Sequence, residues 1–475
     1  PKLKNITFNV RVNGAGVKAE TLDTRVEGLI SSATYNNYTY RGITVAGNLQ
    51  NPNFDGRLTV RDPNANFTFD GLIDVSDEIH TYDFTAEIDH IDLGKLNFLQ
   101  DTSAVLKGKV VMDMRGTNID DTGGVIAFTE ASFENSNDLY EFQDFVITSG
   151  FRRGIRTITM NSPDIISGQV SGVFKIGDLK ALFQNAVGSL YTNYEPRKIT
   201  ENQFMDFNIQ IYSKIVEVLV PDIELEPDTF VRGSVVSDDS EFKLTFRSPR
   251  IKAFGVLAEA INVRVDNKNP LFNAYVEADS IGTGIYGVSD FNLINVTLKD
   301  TLFIRSEFKG GPQKQDNYDL SFYHTINEEN NSVIGFKRSS LKFKNNEWFL
   351  NETDNKDNKL VFDNNFLDWE LKELVLSHEE ERISLKGAVK DSTYKDIKTN
   401  FENVRLSHIT PYIDSLDLRG LVNGNLDILQ KEGVYLPNSS VNIANFTIND
   451  ILMGDLDLAV EGDESLTNYQ IDTHL

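Results

Sequence analysis

The sequence predicts an all-β chain: an elongated, repetitive, curled β-sheet, taco-like, with an open apolar groove and one amphipathic helix. Three observations predict it. Apolar and polar side chains alternate with a period of two along most of the chain. Such runs return roughly every 15–25 residues from Phe8 to the end, separated by turn residues. Helical periodicity is confined to one stretch, 178–191.

The strands can be justified in chain order. Phe67 and Phe69 alternate with polar neighbours, as do Ile209 and Ile211. Phe242, Leu244 and Phe246 alternate with Lys243, Thr245 and Arg247. Val263 and Val265 come next, then Phe291 and Leu293, Leu320 and Phe322, and Leu341 and Phe343. Leu426 and Ile428, Val441 and Ile443, and Leu456 and Leu458 close the series. Each set places one apolar face opposite a wet one, so these residues are the candidate lining of a shared apolar face. Turn clusters lie between them at Gly123-Gly124, Asp238-Asp239-Ser240, Asp266 to Pro270 and Asn327 to Asn331. Pro52, Pro63, Pro163, Pro249, Pro270 and Pro437 are expected at strand ends.

The helix has Asp178 as its expected N-cap. Leu179, Leu182, Phe183, Ala186, Val187, Leu190 and Tyr191 form its apolar side. The polar stretch Thr192 to Gln203 comes after it. The chain therefore divides into a β-groove segment 1–177, the helix and linker 178–203, and a second segment 204–475 of the same style.

An internal repeat supports a rung-by-rung build. One copy runs from Gly71 through Ile91-Asp92-Leu93 to Gly108. The other runs from Gly387 through Val404-Arg405-Leu406 to Gly420. In each, a V/I-x-L step leads into a short apolar turn, Leu96 to Leu99 or Ile409 to Ile413. With rungs about 4.8 Å apart and one per roughly 17–20 residues, the chain would form a rod on the order of 120 Å long.

Composition bounds the function. Among 475 residues, 46 Lys and Arg face 71 Asp and Glu, a net charge of −25. That balance argues against nucleic acid as a partner and against a polybasic membrane patch. With no cysteine, disulfides, thiolate catalysis and Cys-ligated metals are excluded. No apolar run reaches the 18 or so residues of a membrane span. The chain opens at Pro1 directly in strand-like sequence and stops at Leu475 in mid-pattern, so it reads as an interior piece of a longer protein.

Catalytic patterns are sparse. His80, His90, His324, His378, His408 and His474 form no His-x-x-x-His or His-Glu-x-x-His. His80 and His90 read as surface residues of a polar loop. Gly282-Thr283-Gly284-Ile285-Tyr286-Gly287 matches the dinucleotide pattern, but the residues after it, Val288 to Val296, alternate like a strand instead of a helix. Turn glycines explain it better. Asp354-Asn355-Lys356-Asp357-Asn358 resembles a calcium loop, yet it has Lys third and Asn365 at the twelfth position. No catalytic, metal or cofactor residues are assigned, and the chain is read as a non-enzyme.

Several stretches carry a family resemblance. They are Asn51-Pro52-Asn53-Phe54-Asp55-Gly56, Phe69-Asp70-Gly71-Leu72-Ile73-Asp74, and Phe84 to Ile88 leading into Ile91 to Asn97. Phe308-Lys309-Gly310-Gly311, Ile334 to Phe343, and Leu436 to Phe446 continue it. In order and texture the chain resembles the TamB family of the AsmA-like superfamily, in its Bacteroidota form. The resemblance implies a curled sheet with a greasy inner surface, in a periplasmic region of a parent anchored in the inner membrane. It implies phospholipid movement toward the outer membrane, and outer-membrane protein assembly with a barrel partner of the Omp85 type bound through regions outside this piece. The residues named above would then line a lipid groove. Two alternatives stand beside this reading: a polysaccharide-binding or polysaccharide-degrading β-solenoid, and a structural or adhesive β-repeat protein with a closed core. The two tryptophans, Trp348 and Trp369, are few for sugar-stacking platforms.

Overall fold

The computed structural model describes residues 3–475 apart from 16–22, 51–52, 100, 102, 137, 191–193, 213–215, 218–219, 221, 239–240, 270, 285, 300, 312, 364–366, 412–415, 433 and 463–468. Asn51, Pro52, Tyr191, Thr192, Asp239, Ser240, Pro270, Ile285, Asn365, Tyr412 and Ile413 lie outside the described residues. The chain forms two compact units. The first comprises Pro1–Ala186 and Arg197–Phe254; the second comprises Val187–Pro196 and Gly255–Leu475. The division crosses the helix between Ala186 and Val187 and the polar stretch between Pro196 and Arg197, and falls again between Phe254 and Gly255. Both units are antiparallel β-sheet.

In the first unit each strand pairs with the next, from Leu3–Ala15 through Asp23–Tyr35, Tyr38–Gln50, Asn53–Asp62, Ala65–Asp74 and His80–Asp92 to Val105–Gly116 and Gly123–Glu134. The last of these is shared. Leu139–Phe142 pairs with its far half and Phe145–Arg152 with its near half. The ladder continues through Ile155–Asn161, Ile166–Val173, Phe204–Ile211 and Thr229–Val236 to Glu241–Ala253. Glu241–Ala253 also pairs with Ile223–Leu225. Pro249 sits between these two partners, so the strand runs through it instead of ending there. It occupies a point where no ladder bond is needed. Pro437 likewise lies inside a strand, Val434–Ile448, opposite Ile428.

The second unit repeats the plan from Val256–Asp266 to Tyr469–His474. It splits at Asp316–Ile326, which pairs with Ser332–Phe336 on one half and Ser339–Phe343 on the other. The two tracks pass through Lys359–Phe362 and Asn346–Leu350 and rejoin at Asp368–His378. Two-residue turns with both residues at positive φ close several hairpins: Asn36-Asn37, Lys344-Asn345 and Asn449-Asp450. Gly123-Gly124 opens a strand instead of forming a turn.

Two backbone devices recur along the ladders. The first is a mid-strand glycine. Gly71 has φ +144°, and a Cβ there would run into the Asp83 carbonyl and Phe84 Cα of the next strand. The second is the β-bulge, which bends a strand and increases its twist. The internal repeat is built from both. In the first copy Gly71 faces Phe84, a bulge separates Ile88 from Ile91, and these face Gly108 and Leu106. In the second copy Gly387 faces Ile397, a bulge separates Phe401 from Val404, and these face Gly424 and Val422. The register therefore makes Gly424 the counterpart of Gly108, where the sequence alone suggests Gly420.

Three buried clusters form where turns fold in. Leu96, in the turn after His80–Asp92, packs with Ile43, Val60 and Ala65. Ala104 packs with Phe133 and Tyr140. In the second unit Trp348 packs with Val404, Val422 and Val441, joined by Leu406 and Ile409. Replacing Gly71 by Ala should cost the first unit about 1–3 kcal/mol, because the residue is strained and its Cβ meets backbone. Urea unfolding of Gly71→Ala, beside a control Gly150→Ala where a Cβ meets nothing within 4 Å, checks this.

Candidate functional site

Residues paired across an antiparallel ladder point to the same face, so the register says which side chains share a surface. In the first unit one such row runs Gly71, Phe84, Met112, Ile126, Ile147, Met160, Gly168, Ile209, Val231, Phe246. The adjacent row runs Phe54, Ile73, Tyr82, Met114, Gly124, Ser149, Ile158, Val170, Phe207, Gly233, Leu244. Phe69 lies one row farther on, between Leu58 and Ala86. In the second unit Val263, Val276, Leu293, Ser306 and Leu320 form one row. Val265, Ala274, Asn295, Ile304, Phe322 and Phe336 form the next.

All the residues read from the sequence as face lining share this side of their own unit. Phe242 continues the row of Met205 and Val235, while Ile211 faces Ile166. Phe343 and Leu341 face Asn346 and Trp348. Val441 and Ile443 lie between Gly424 and Val422 on one side and Leu458 and Leu456 on the other. Phe242 and Val441 are buried, Leu426 and Ile428 are 40% and 45% exposed, and the rest are half-buried. Aromatic rings touch along the face. The Phe54, Phe69 and Phe84 rings are tilted against one another at 6.0 and 4.9 Å, Phe291 is tilted against Phe308 at 6.1 Å, and Phe308 stacks on Tyr318 at 4.5 Å.

The opposite side is charged. Arg57 pairs with Asp70, Lys109 with Glu87 at 3.3 Å and Arg61 with Asp89 at 3.2 Å. In the second unit Arg305 pairs with Asp319 at 2.8 Å and Lys309 with Asp290 at 3.0 Å. These are exposed cross-strand pairs that keep this wall wet and add little stability.

The helix, Leu179–Gly188, packs on the first unit's apolar face at Phe207. Leu182 and Ala186 are buried, and the Phe183 ring meets Phe207 at 5.9 Å. Asp178 ends a 3-10 turn, Ile176–Asp178, that leads into the helix. Its carboxylate accepts from Thr200 N and Gln203 Nε2, both at 3.0 Å, tying the polar stretch back to the helix start. These bonds hold the carboxyl below the usual range. In the second unit Ser189 Oγ accepts from Asn267 and the Leu190 carbonyl from Thr297.

Pairing and hydrogen bonding account for the remaining motifs. Gly282 to Gly287 joins two antiparallel strands, Ala274–Gly282 and Gly287–Leu298. The 354–358 loop spends its polar groups on itself and its neighbours. Asn351 donates to the Phe336 and Asn355 carbonyls, and Asn358 Oδ1 accepts from Val375 N. His80 and His90 belong to a strand, not a loop. Trp348 is buried and Trp369 is half-buried on the strand Asp368–His378. His378 and His408, thirty positions apart, converge on Glu381; no sequence pattern signals it. No family model, no curated protein and no solved structure matches the chain.

Two outcomes are expected. Leu182→Ala should destabilise the first unit by about 2–5 kcal/mol, measured by chemical unfolding, because it truncates a side chain that is only 1% exposed. His324 faces Leu302 and Ile334 on the apolar side, and burial lowers its pKa from 6.5. The neutral ring therefore stabilises the fold above about pH 6.5, and that contribution is lost as pH falls through the depressed folded value. A melting-temperature series from pH 8 to pH 5 should show a smaller acid-side drop for His324→Phe than for the native chain.

Proposed function

We propose that this chain is a non-enzymatic stretch of a periplasmic bridge between inner and outer membranes, with each unit's apolar face holding phospholipid acyl chains. In this reading the chain supports delivery to the outer membrane and the assembly of outer-membrane proteins. The observation that carries it is the pairing register. It gathers many of the large apolar side chains of each unit on one face and leaves most of those read from the sequence as lining half-buried, although Met205, Val235 and Phe242 are buried.

A closed protein core would bury those rows. An acyl chain laid on them gains about 0.8 kcal/mol per CH₂ removed from water and needs no polar contact to do so. Similar residues repeat from strand to strand, so neighbouring positions offer similar affinity and a chain can move without a deep trap. The phosphate headgroup stays in water at the open seam of the groove. A polysaccharide reading needs exposed aromatic platforms. Trp348 instead packs inside a cluster with Val404 and Val422.

The test is native mass spectrometry with lipid extraction on the chain purified from a bacterial envelope. Phospholipid in several copies per chain is expected. Phe242, Leu244 and Phe246 form one inward set, but Phe242 is only 3% exposed, so a charge there would unfold the strand. Leu426→Asp with Ile428→Asp is the better probe, because both side chains are accessible. The double variant should keep the native circular dichroism and lose bound lipid several-fold. A lipid-free native chain, or a folded variant with undiminished lipid, would overturn the proposal.

A further inference from the structure

We propose that His378, Glu381 and His408 form a binding site for a zinc-class divalent transition-metal ion, clipping a hairpin to a turn at the rim of the second unit. His378 and Glu381 are directly paired and close the hairpin between Asp368–His378 and Glu381–Lys390. The short helix Leu406–Ile409 brings His408 to them. One ligand atom from each of the three residues lies within 4.8 Å of the others.

The second-sphere contacts suit a metal. His378 Nδ1 is 2.7 Å from the Glu347 carbonyl oxygen. A carbonyl only accepts, so Nδ1 carries the proton, and in the neutral ring the lone pair is on Nε2. Orienting bonds of this kind fix the tautomer of metal-binding histidines. The ring is further held by buried Trp348 at 5.4 Å and by His408 at 5.5 Å. Glu381 is 3% exposed, and a buried carboxylate needs a cation nearby. Its Oε1 meets His408 Nδ1 at 2.9 Å and Arg405 Nη1 at 3.0 Å, while Oε2 accepts from Arg405 N at 2.9 Å.

Arg405 is the competing cation, but its side chain is 55% exposed and Glu379 lies 3.9 Å away as another partner. An incoming ion takes over the countercharge, the guanidinium turns toward Glu379, and any proton on His408 Nδ1 is released to water. Two imidazoles and one carboxylate favour zinc, copper, nickel or cobalt over calcium or magnesium. Three protein ligands leave one position for water.

The probe is Zn²⁺ alone, titrated calorimetrically into chelator-stripped full chain. One equivalent is expected. His378→Ala and His408→Ala should each weaken binding by about 10–100-fold, while His90→Ala leaves it unchanged. Because either substitution can disturb the rim itself, the native chain is also footprinted with diethyl pyrocarbonate. Zinc should protect His378 and His408 and leave His80 and His90 reactive. No stoichiometric binding, unaltered affinity in both histidine variants, or an unchanged footprint would overturn the site.

Discussion

Everything in these two units depends on side-chain parity along the ladder. A strand sends successive side chains to opposite faces, so a slip of one residue would turn an apolar row outward. An antiparallel ladder this long stays sided only if each irregularity restores the parity it breaks. The bulges do this. Ile88 and Ile91 are an odd number of positions apart, yet both face the apolar side, opposite Gly108 and Leu106. The extra residue is absorbed locally, and Asp89 stays outside to meet Arg61. Phe401 and Val404 behave in the same way, with Asn403 at φ +52° and its N–H held by Asn423.

Sidedness then decides where stability and where exposure reside. A single sheet buries residues best at its rims, where connecting turns fold over the first apolar position. Leu96 and the Leu406–Ile409 turn do so. Between the rims many of the row residues are half-buried, with Met205, Val235 and Phe242 among the buried ones. The helix changes this locally, where Phe183 covers Phe207. It is thus a local substitute for whatever covers the face elsewhere. The first unit's apolar face is in this way partly sealed and partly available.

Much of this was legible in the sequence, for a reason particular to β-structure. Alternation alone assigns Phe242, Leu244 and Phe246 to one side, and the ladder carries that assignment across neighbouring strands without any long-range information. The features that stayed hidden are those set by which strand pairs with which. Pro249 looks like a strand end, but it occupies a join between two partners that only the register defines. Gly420 looks like the repeat's second glycine because its spacing is closer, yet the pairing selects Gly424. His378 and His408 are ordinary singly, since each lies near the end of its own element and only the hairpin and the turn bring them together.

The repeat also explains why charge is buried at one rim and not in the same form at the other. Matching Gly71 to Gly387 sets Ala65 against Glu381, and matching the V/I-x-L steps sets Asp92 against Arg405 and Lys95 against His408. In the first copy Asp92 is buried and accepts from Lys95 N at 2.9 Å, with Lys95 Nζ at 2.5 Å, so the turn carries its own acid. Across the ladder the adjoining Ile91 faces Ala65, which is fully buried. In the second copy the step carries Arg405 instead, and the acid comes from the adjacent strand as Glu381, which takes the Arg405 N–H. The two acids meet different backbone groups: Asp92 takes the Lys95 N–H, whereas the Arg405 N–H taken by Glu381 corresponds to that of Asp92, which donates to the Asn64 carbonyl at 2.9 Å. At the second rim the acid from the adjacent strand therefore stands beside an imidazole, with Glu381 Oε1 2.9 Å from His408 Nδ1.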